Sequence, residues 1–158
     1  MSFEPVAAPD AHVLIVGTWP SPKSREQGFY YGHPQNRFWP LLARLLEQPV
    51  PHTIPEKKAL IVGGSLALWD TLESCTITGA SDASIRDAVP TDILGLCRRV
   101  PIRCVLCNGA TAYRLYQTWQ PGGPPAVRLP STSPANAAFS MDRLAAVWGE
   151  ALAAARRV

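Results

Sequence analysis

Short apolar runs alternate with segments of helical periodicity along this chain, and that alternation constrains the fold more than any other feature. Three runs lead to Gly or Asn-Gly, which is typical of buried strands that end in loops. We predict strands at residues 12–16, 59–62 and 102–106, and a fourth at 126–129. Helical spacing of apolar residues predicts helices at 38–47, 66–72, 91–98 and 111–119, and one beginning after an N-cap at Ser140.

This order of elements predicts an α/β fold with a mainly parallel sheet. Continuous apolar strands are buried on both faces, and parallel neighbours need crossover helices, which cover those faces. A length of 158 residues suits one compact unit, so we expect a single domain over residues 1–158. The segment Pro121-Gly-Gly-Pro-Pro125 reads as a stiff turn rather than a linker.

Composition and cysteine spacing exclude several classes of protein. With 47% apolar and 17% charged residues the chain has the composition of a globular protein, and its start lacks the pattern of a signal or membrane segment. The net charge of +3 permits contact with phosphates but does not identify a partner. Cys104 and Cys107 form a Cys-x-x-Cys inside a predicted strand, where residues three apart point to opposite faces. We therefore expect reduced core cysteines, with no bound metal and no cofactor.

The loops after the predicted strands carry the polar chemistry. In open α/β sheets ligands bind outside the carboxyl ends of the strands. Those loops span residues 17–21, 30–39, 108–109 and 130–136, and they are rich in aromatic rings, hydroxyls and carboxamides but poor in acids. Rings stack on a flat heterocycle while amides and hydroxyls read its edge, so this composition favours a nucleobase over a metal ion.

One of these loops resembles a known enzyme family. Tyr31-Gly-His-Pro-Gln-Asn-Arg-Phe-Trp39 is similar to the aromatic-x-His-Pro-x-Asn-Arg-Phe-Trp segment of mismatch-specific uracil/thymine-DNA glycosylases. Gly17-Thr-Trp-Pro-Ser21 and Leu129-Pro-Ser-Thr-Ser-Pro-Ala-Asn136 resemble the first and second motifs of the uracil-DNA glycosylase superfamily. With Leu68-Trp-Asp70 and the segment 80–85, the chain most resembles the hypoxanthine-DNA (deoxyinosine) glycosylase branch. The resemblance implies a three-layer αβα sandwich around a four-stranded parallel sheet.

The resemblance also implies roles for individual residues. Tyr31 matches the position whose ring stacks on the extruded base, and Asn36 matches the asparagine proposed to serve catalysis in this branch. Trp19, in the first motif, joins Tyr31 as a candidate base-binding residue. Asn108 is a third candidate because it lies at the carboxyl end of a predicted strand, where it could also simply turn the chain into the next helix. The candidate DNA-binding residues lie in the first and second motifs and are Ser21, Ser131, Thr132, Ser133 and Asn136. His33 and Asp82 are candidates for supporting roles.

Two departures from the superfamily pattern shape the expected mechanism. Trp19 stands where uracil-excising relatives carry Asn or Asp, and Leu129 stands where His or Asn supports the leaving base. Leu129 has no hydrogen-bond donor. We therefore expect hypoxanthine rather than uracil as substrate, with the Asn36 carboxamide oxygen orienting water toward a cationic sugar. Lys23 is the one lysine within the motifs, so we predict a monofunctional glycosylase without a Schiff-base step.

Other readings remain open from the residues alone. Gly63-Gly64-Ser65 prompts a serine-hydrolase reading, but Ala67 stands where a nucleophile elbow needs glycine. Excision of uracil or xanthine, or binding of nucleic acid without catalysis, are further alternatives. Alone, Asn36 would read as a helix cap and His33 as a residue that fixes the backbone. For the glycosylase we expect a monomer that acts on DNA in the cytoplasm, in association with the nucleoid, without a membrane partner.

Overall fold

A computed structural model describes residues 3–18, 29–76 and 86–158 of the chain. Five strands form the main sheet in the order β1-β3-β2-β6-β7, and β4 and β5 form a separate two-stranded antiparallel sheet. The strands are β1 (Val6–Ala7), β2 (Val13–Gly17), β3 (Leu66–Asp70), β4 (Leu72–Thr76), β5 (Arg86–Pro90), β6 (Cys104–Asn108) and β7 (Ala126–Leu129). The described helices are α1 (Phe38–Leu45), α2 (Ile54–Gly63), α3 (Ile93–Arg99), α4 (Ala110–Trp119) and α5 (Met141–Arg156).

Four strands of the main sheet run parallel, which confirms the predicted sheet. β2 lies at its centre and pairs in parallel with β3 on one side and β6 on the other, and β6 pairs in parallel with β7. The two-residue β1 adds an antiparallel edge beside β3. Gly17 is paired with Asp70, and Asn108 is paired with Leu129, so the four carboxyl ends reach the same edge of the sheet.

Two predicted elements were wrong, and they exchange types. Residues 59–62 were expected as a strand but lie within α2, which begins with a capping box: Thr53 Oγ1 accepts from the Glu56 N–H at 3.2 Å, and Glu56 Oε1 accepts from the Thr53 N–H at 3.1 Å. Residues 66–72 were expected as a helix, but Leu66–Asp70 is β3. Because both of its faces are covered, this strand has a continuous apolar run in place of an alternating one. The exchange keeps the number of parallel strands at four.

Helices cover both faces of the sheet, as the resemblance implies. One apolar cluster joins α1, α2 and α5 to strand residues that include Ile15 and Leu68, and a second joins α3 and α4 to strand residues that include Leu14 and Val105. Cys104 belongs to the first cluster and Cys107 to the second, so their predicted opposite orientation is confirmed. Burial raises the pKa of the Cys107 thiol to about 12, which keeps it protonated.

The last helix matches its sequence signals. Ser140 is the N-cap of α5, and its hydroxyl oxygen accepts a hydrogen bond from the Arg143 N–H at 3.2 Å. Leu144, Trp148 and Leu152 are buried against the sheet. None of the helices in the described parts of the chain combines the length and apolar character that crossing a membrane requires.

Candidate active site

The candidate site lies at the carboxyl edge of the sheet, where the strand order reverses. The chain passes from β2 to β3 on one side and then crosses to β6 on the other, so the loops that follow β2 and β6 leave in opposite directions. Such a point is where open α/β sheets bind their ligands. Gly17, Asp70, Asn108 and Leu129 end the four parallel strands there.

Asn36 lies in a tight turn that leads directly into α1. Its backbone N–H donates to the His33 carbonyl at 2.9 Å, and the N–H of Gln35 donates to His33 Nδ1 at 3.0 Å. The carboxamide oxygen of Asn36 accepts the N–H of Phe38, the first residue of α1, at 2.9 Å. His33 and Asn36 therefore both take the backbone-fixing roles that their positions in a turn favour.

A continuous chain of hydrogen bonds joins Asn36 to the end of β6. The Thr132 hydroxyl donates to Asn36 Oδ1 at 2.8 Å and accepts from Asn108 Nδ2 at 3.0 Å. The Thr132 backbone N–H donates to Asn108 Oδ1, also at 3.0 Å. The side chain of Thr132 is 0% exposed and Asn108 is 9% exposed. Both were expected to contact DNA or base, but in this structure their side-chain groups bind each other.

Arg37 fastens the second-motif loop to the turn that carries Asn36. Its backbone N–H donates to the Thr132 carbonyl at 3.1 Å. Its guanidinium donates to three carbonyls, those of Ser133 at 3.1 Å, Asn136 at 3.0 Å and Phe139. The guanidinium therefore holds together two segments that are about a hundred residues apart in sequence.

The remaining second-motif residues form a compact turn. Ser131 Oγ accepts the Ser133 N–H at 3.0 Å, and Ser133 Oγ accepts the Ala135 N–H at 3.2 Å. Asn136 Nδ2 donates to the Ser131 carbonyl at 3.0 Å. Ser131, Ser133 and Asn136 are half-buried at the surface, and neither serine hydroxyl donates its proton to an acceptor in the described parts of the chain. Gly109 allows the loop to approach, since its φ is 102° and an added Cβ would lie 3.3 Å from Ser131 Cβ.

Tyr30 and Tyr31 are neighbours in the sequence but make different contacts. Tyr30 is buried and its hydroxyl donates to the Glu4 carbonyl at 2.7 Å. The half-buried Tyr31 has a φ of 53°, which is uncommon for a bulky residue, and its ring stacks on Phe38 with centroids 4.2 Å apart. The Tyr31 hydroxyl is buried against Gly17 and near the Asn108 side chain, and within the described parts of the chain it has no hydrogen-bond partner of normal geometry.

Asp70 is a site residue to which sequence reasoning gave no role. It ends β3 and is 4% exposed, and none of the residues that the structure describes gives its Oδ2 a hydrogen bond. Burial raises the pKa of this carboxyl from 3.8 to about 7. A Cβ at Gly17 would stand 2.8 Å from Asp70 Oδ1 and 2.6 Å from the Tyr31 hydroxyl, so both groups crowd the same glycine. The sequence does carry a signal for this residue, because an acid that directly follows a buried strand lies at the carboxyl edge of the sheet. Residues 66–72 were predicted as a helix, so Asp70 was not recognised as the end of a strand.

Several sequence-predicted site features fall elsewhere. Trp19, Ser21, Lys23 and Asp82 lie outside the described residues. Leu129 is 3% exposed and packs in the core at the end of β7, so it offers no donor to the site. Ser65 lies in the turn before β3, at the opposite edge of the sheet from the site, which removes the basis for the serine-hydrolase reading. Within residues 3–18, 29–76 and 86–158, no group of three His, Cys, Asp or Glu side chains is arranged to hold a metal ion.

Comparison with known proteins gives consistent matches over most of the chain. A hypoxanthine DNA glycosylase of Methanosarcina acetivorans is 32% identical over 143 residues, which cover 89% of this chain and 90% of the relative. A second protein of that name, from Methanosarcina barkeri, is 28% identical over 68% of this chain and 69% of its own length. A solution NMR structure of a candidate uracil DNA glycosylase from M. acetivorans superposes with a TM-score of 0.83 at 28% identity, covering 98% of this chain and 97% of that one.

The match to a family model agrees with the site that the fold assembles. The model of the uracil DNA glycosylase superfamily covers residues 4–152, which include all four parallel strands, the Asn36 turn and the second-motif loop. The chain therefore belongs to the uracil-DNA glycosylase superfamily.

Proposed function

We propose that this protein is a monofunctional DNA glycosylase that hydrolyses the N-glycosidic bond of hypoxanthine flipped out of DNA. The observation that carries the proposal is the Asn36 carboxamide, held at the carboxyl edge of the sheet while Leu129 is buried in the core. The two Methanosarcina relatives that match this chain are hypoxanthine DNA glycosylases, which supports that substrate over uracil.

The reaction that fits this site is dissociative. The base leaves the stack and lies against the Tyr31 ring, and the bond between C1′ and N9 then breaks toward an oxocarbenium-like sugar. The electron pair of that bond leaves with the purine. Water adds to C1′ and supplies the proton that the departing base takes up. Asn36 is the catalytic residue in this scheme, and Trp19 keeps its assignment from the sequence as a base-binding residue.

Contact with DNA is assigned to the second-motif turn and to Ser21. Ser131, Ser133 and Asn136 lie at the surface beside the carboxyl edge, where a pinched phosphate backbone passes in this scheme. Thr132 is left out of this DNA-contacting group, because its side chain is fully buried. In the proposed function the protein acts as a monomer on nucleoid DNA in the cytoplasm.

A panel of duplexes that differ in one lesion tests the proposal. The duplexes carry inosine, xanthine, uracil or the matching undamaged pair in one sequence context, and abasic sites are counted after alkaline cleavage. We expect abasic sites from inosine at the highest rate and none from the undamaged duplex. Faster excision of uracil than of hypoxanthine would show that uracil is the preferred substrate. Binding of every duplex without formation of abasic sites would show a nucleic-acid-binding module without catalytic activity.

A further inference from the structure

We propose that Thr132 is a positioning residue that turns the Asn36 carboxamide, so that its amino group rather than its oxygen is presented to the substrate. The inference rests on the proposed glycosylase function and assigns the chemistry of its catalytic amide. It replaces the expectation that the Asn36 oxygen orients water.

The Asn36 oxygen already has two donors. It accepts the Phe38 backbone N–H at 2.9 Å and the Thr132 hydroxyl at 2.8 Å, which matches the two lone pairs of a carboxamide oxygen. Rotating the amide by half a turn would set its amino group against the Phe38 N–H, and two donors would then face each other. The amino group of Asn36 is therefore the part of the side chain that remains for a substrate.

The direction of each bond in the chain follows from fixed backbone donors. The Thr132 backbone N–H requires the oxygen of Asn108 opposite it, at 3.0 Å, so the Asn108 amino group faces the Thr132 hydroxyl. That hydroxyl accepts from Asn108, and its single proton is then directed at Asn36 Oδ1. The backbone N–H groups of Phe38 and Thr132 therefore allow one arrangement of donors and acceptors in this chain of hydrogen bonds.

An amide N–H in this place has a chemical use. As the C1′–N9 bond breaks, negative charge develops on the purine, and a fixed donor in a site shielded from water stabilises that charge. Hypoxanthine carries acceptors at O6, N3 and N7 that such a donor reaches from the edge of the ring. Asn36 would thus support the leaving base, which is the role that Leu129 cannot fill.

The first test compares variants of Thr132 in single-turnover excision from an inosine duplex, with enzyme in excess at several concentrations. Thr132→Val keeps the shape but removes the hydroxyl, so we expect the maximal rate constant to fall about 10- to 100-fold while the half-saturating enzyme concentration changes little. Thr132→Ser restores the hydroxyl and is expected to stay within a few-fold of wild type. The matched control is Thr118→Val, because the Thr118 hydroxyl donates to the Arg114 carbonyl on the exposed side of α4. An unchanged rate constant in Thr132→Val would overturn the inference.

A second variant keeps the inference testable if Thr132→Val does not fold. Asn36→Asp retains the acceptor for Phe38 and Thr132 but removes the amino group, so we expect it to lose about as much activity as Asn36→Ala, on the order of 100-fold or more. An Asn36→Asp enzyme that keeps most of the wild-type rate would overturn the inference, because a carboxylate orients water but cannot donate. Failure of wild type on every lesion would instead refute the proposed function.

Discussion

The two halves of the carboxyl edge of the sheet differ in how far their buried polar groups are hydrogen-bonded. Asn36, Thr132 and Asn108, the bonded corner, form a continuous hydrogen-bonded chain beside β6 and β7. Gly17, Tyr31 and Asp70, the unpaired corner, lie beside β2 and β3 and hold two buried polar atoms that have no hydrogen-bond partner among residues 3–18, 29–76 and 86–158. A satisfied buried network fixes geometry, whereas buried polar groups without partners cost stability. The bonded corner therefore fixes the position of its side chains, whereas the unpaired corner lowers the free energy of unfolding.

Replacing Asp70 tests the larger part of the stability that the unpaired corner costs the fold. The carboxyl pKa is raised from 3.8 in an unfolded chain to about 7 in the fold, so the folded state binds this proton more tightly. Its contribution to stability is greatest at low pH and is lost as pH rises from about 4 through 7. We expect Asp70→Asn to be more stable than wild type above pH 7, by about 2–4 kcal/mol, and to remove that part of the pH dependence.

Urea unfolding of both proteins at pH 5 and pH 8 measures the Asp70 effect. A variant that is less stable than wild type at pH 8 would mean that the ionised carboxylate has a stabilising partner in the fold. Excision assays on the same variant test whether the carboxyl serves the substrate at the expense of stability, as groups of this kind often do at functional sites.

Adding a methyl group at Gly17 tests how closely the unpaired corner is packed. A Cβ there would meet the Tyr31 hydroxyl at 2.6 Å and Asp70 Oδ1 at 2.8 Å, so one of them must move. We expect Gly17→Ala to lower the free energy of unfolding by about 1–3 kcal/mol, as overpacking of a buried site does. Gly122→Ala is the control, since a Cβ there would have no neighbour within 4 Å. Equal melting temperatures of the two variants would contradict this packing.

Removing one hydroxyl gives the smallest expected change and the most direct contrast between the corners. Tyr31→Phe keeps the ring that stacks on Phe38 and removes a buried hydroxyl that no described residue binds with normal hydrogen-bond geometry. We expect stability to rise by about 1 kcal/mol. Thr132→Val removes a hydroxyl that has two partners and is expected to lower stability by about as much or more. Thermal unfolding of the pair would contradict the comparison if both changes had the same sign.

Local sequence signals predicted the parts of the fold and site that depend on neighbouring residues. The strands near residues 12–16 and 102–106, the Ser140 cap and the turn around Asn36 all rest on short-range patterns. Residues 59–62 and 66–72 were assigned the wrong type of element because a short apolar run is compatible with a helix or a strand. The helix cap at Thr53, which marks the start of α2, was not recognised. The partners of Asn36 were not predictable in this way, since Thr132 lies 96 residues away and its burial depends on the assembled sheet.

A double-mutant cycle between the two ends of the Asn36–Thr132 bond tests the account most directly. Single-turnover excision of hypoxanthine is measured for wild type, Asn36→Ala, Thr132→Val and the double variant, with folding verified by circular dichroism. If Thr132 acts through the Asn36 amide, the double variant is expected to be no slower than Asn36→Ala alone. Rate losses that multiply in the double variant would show that the two residues act independently, and would contradict the bonded corner as the device that positions the catalytic amide.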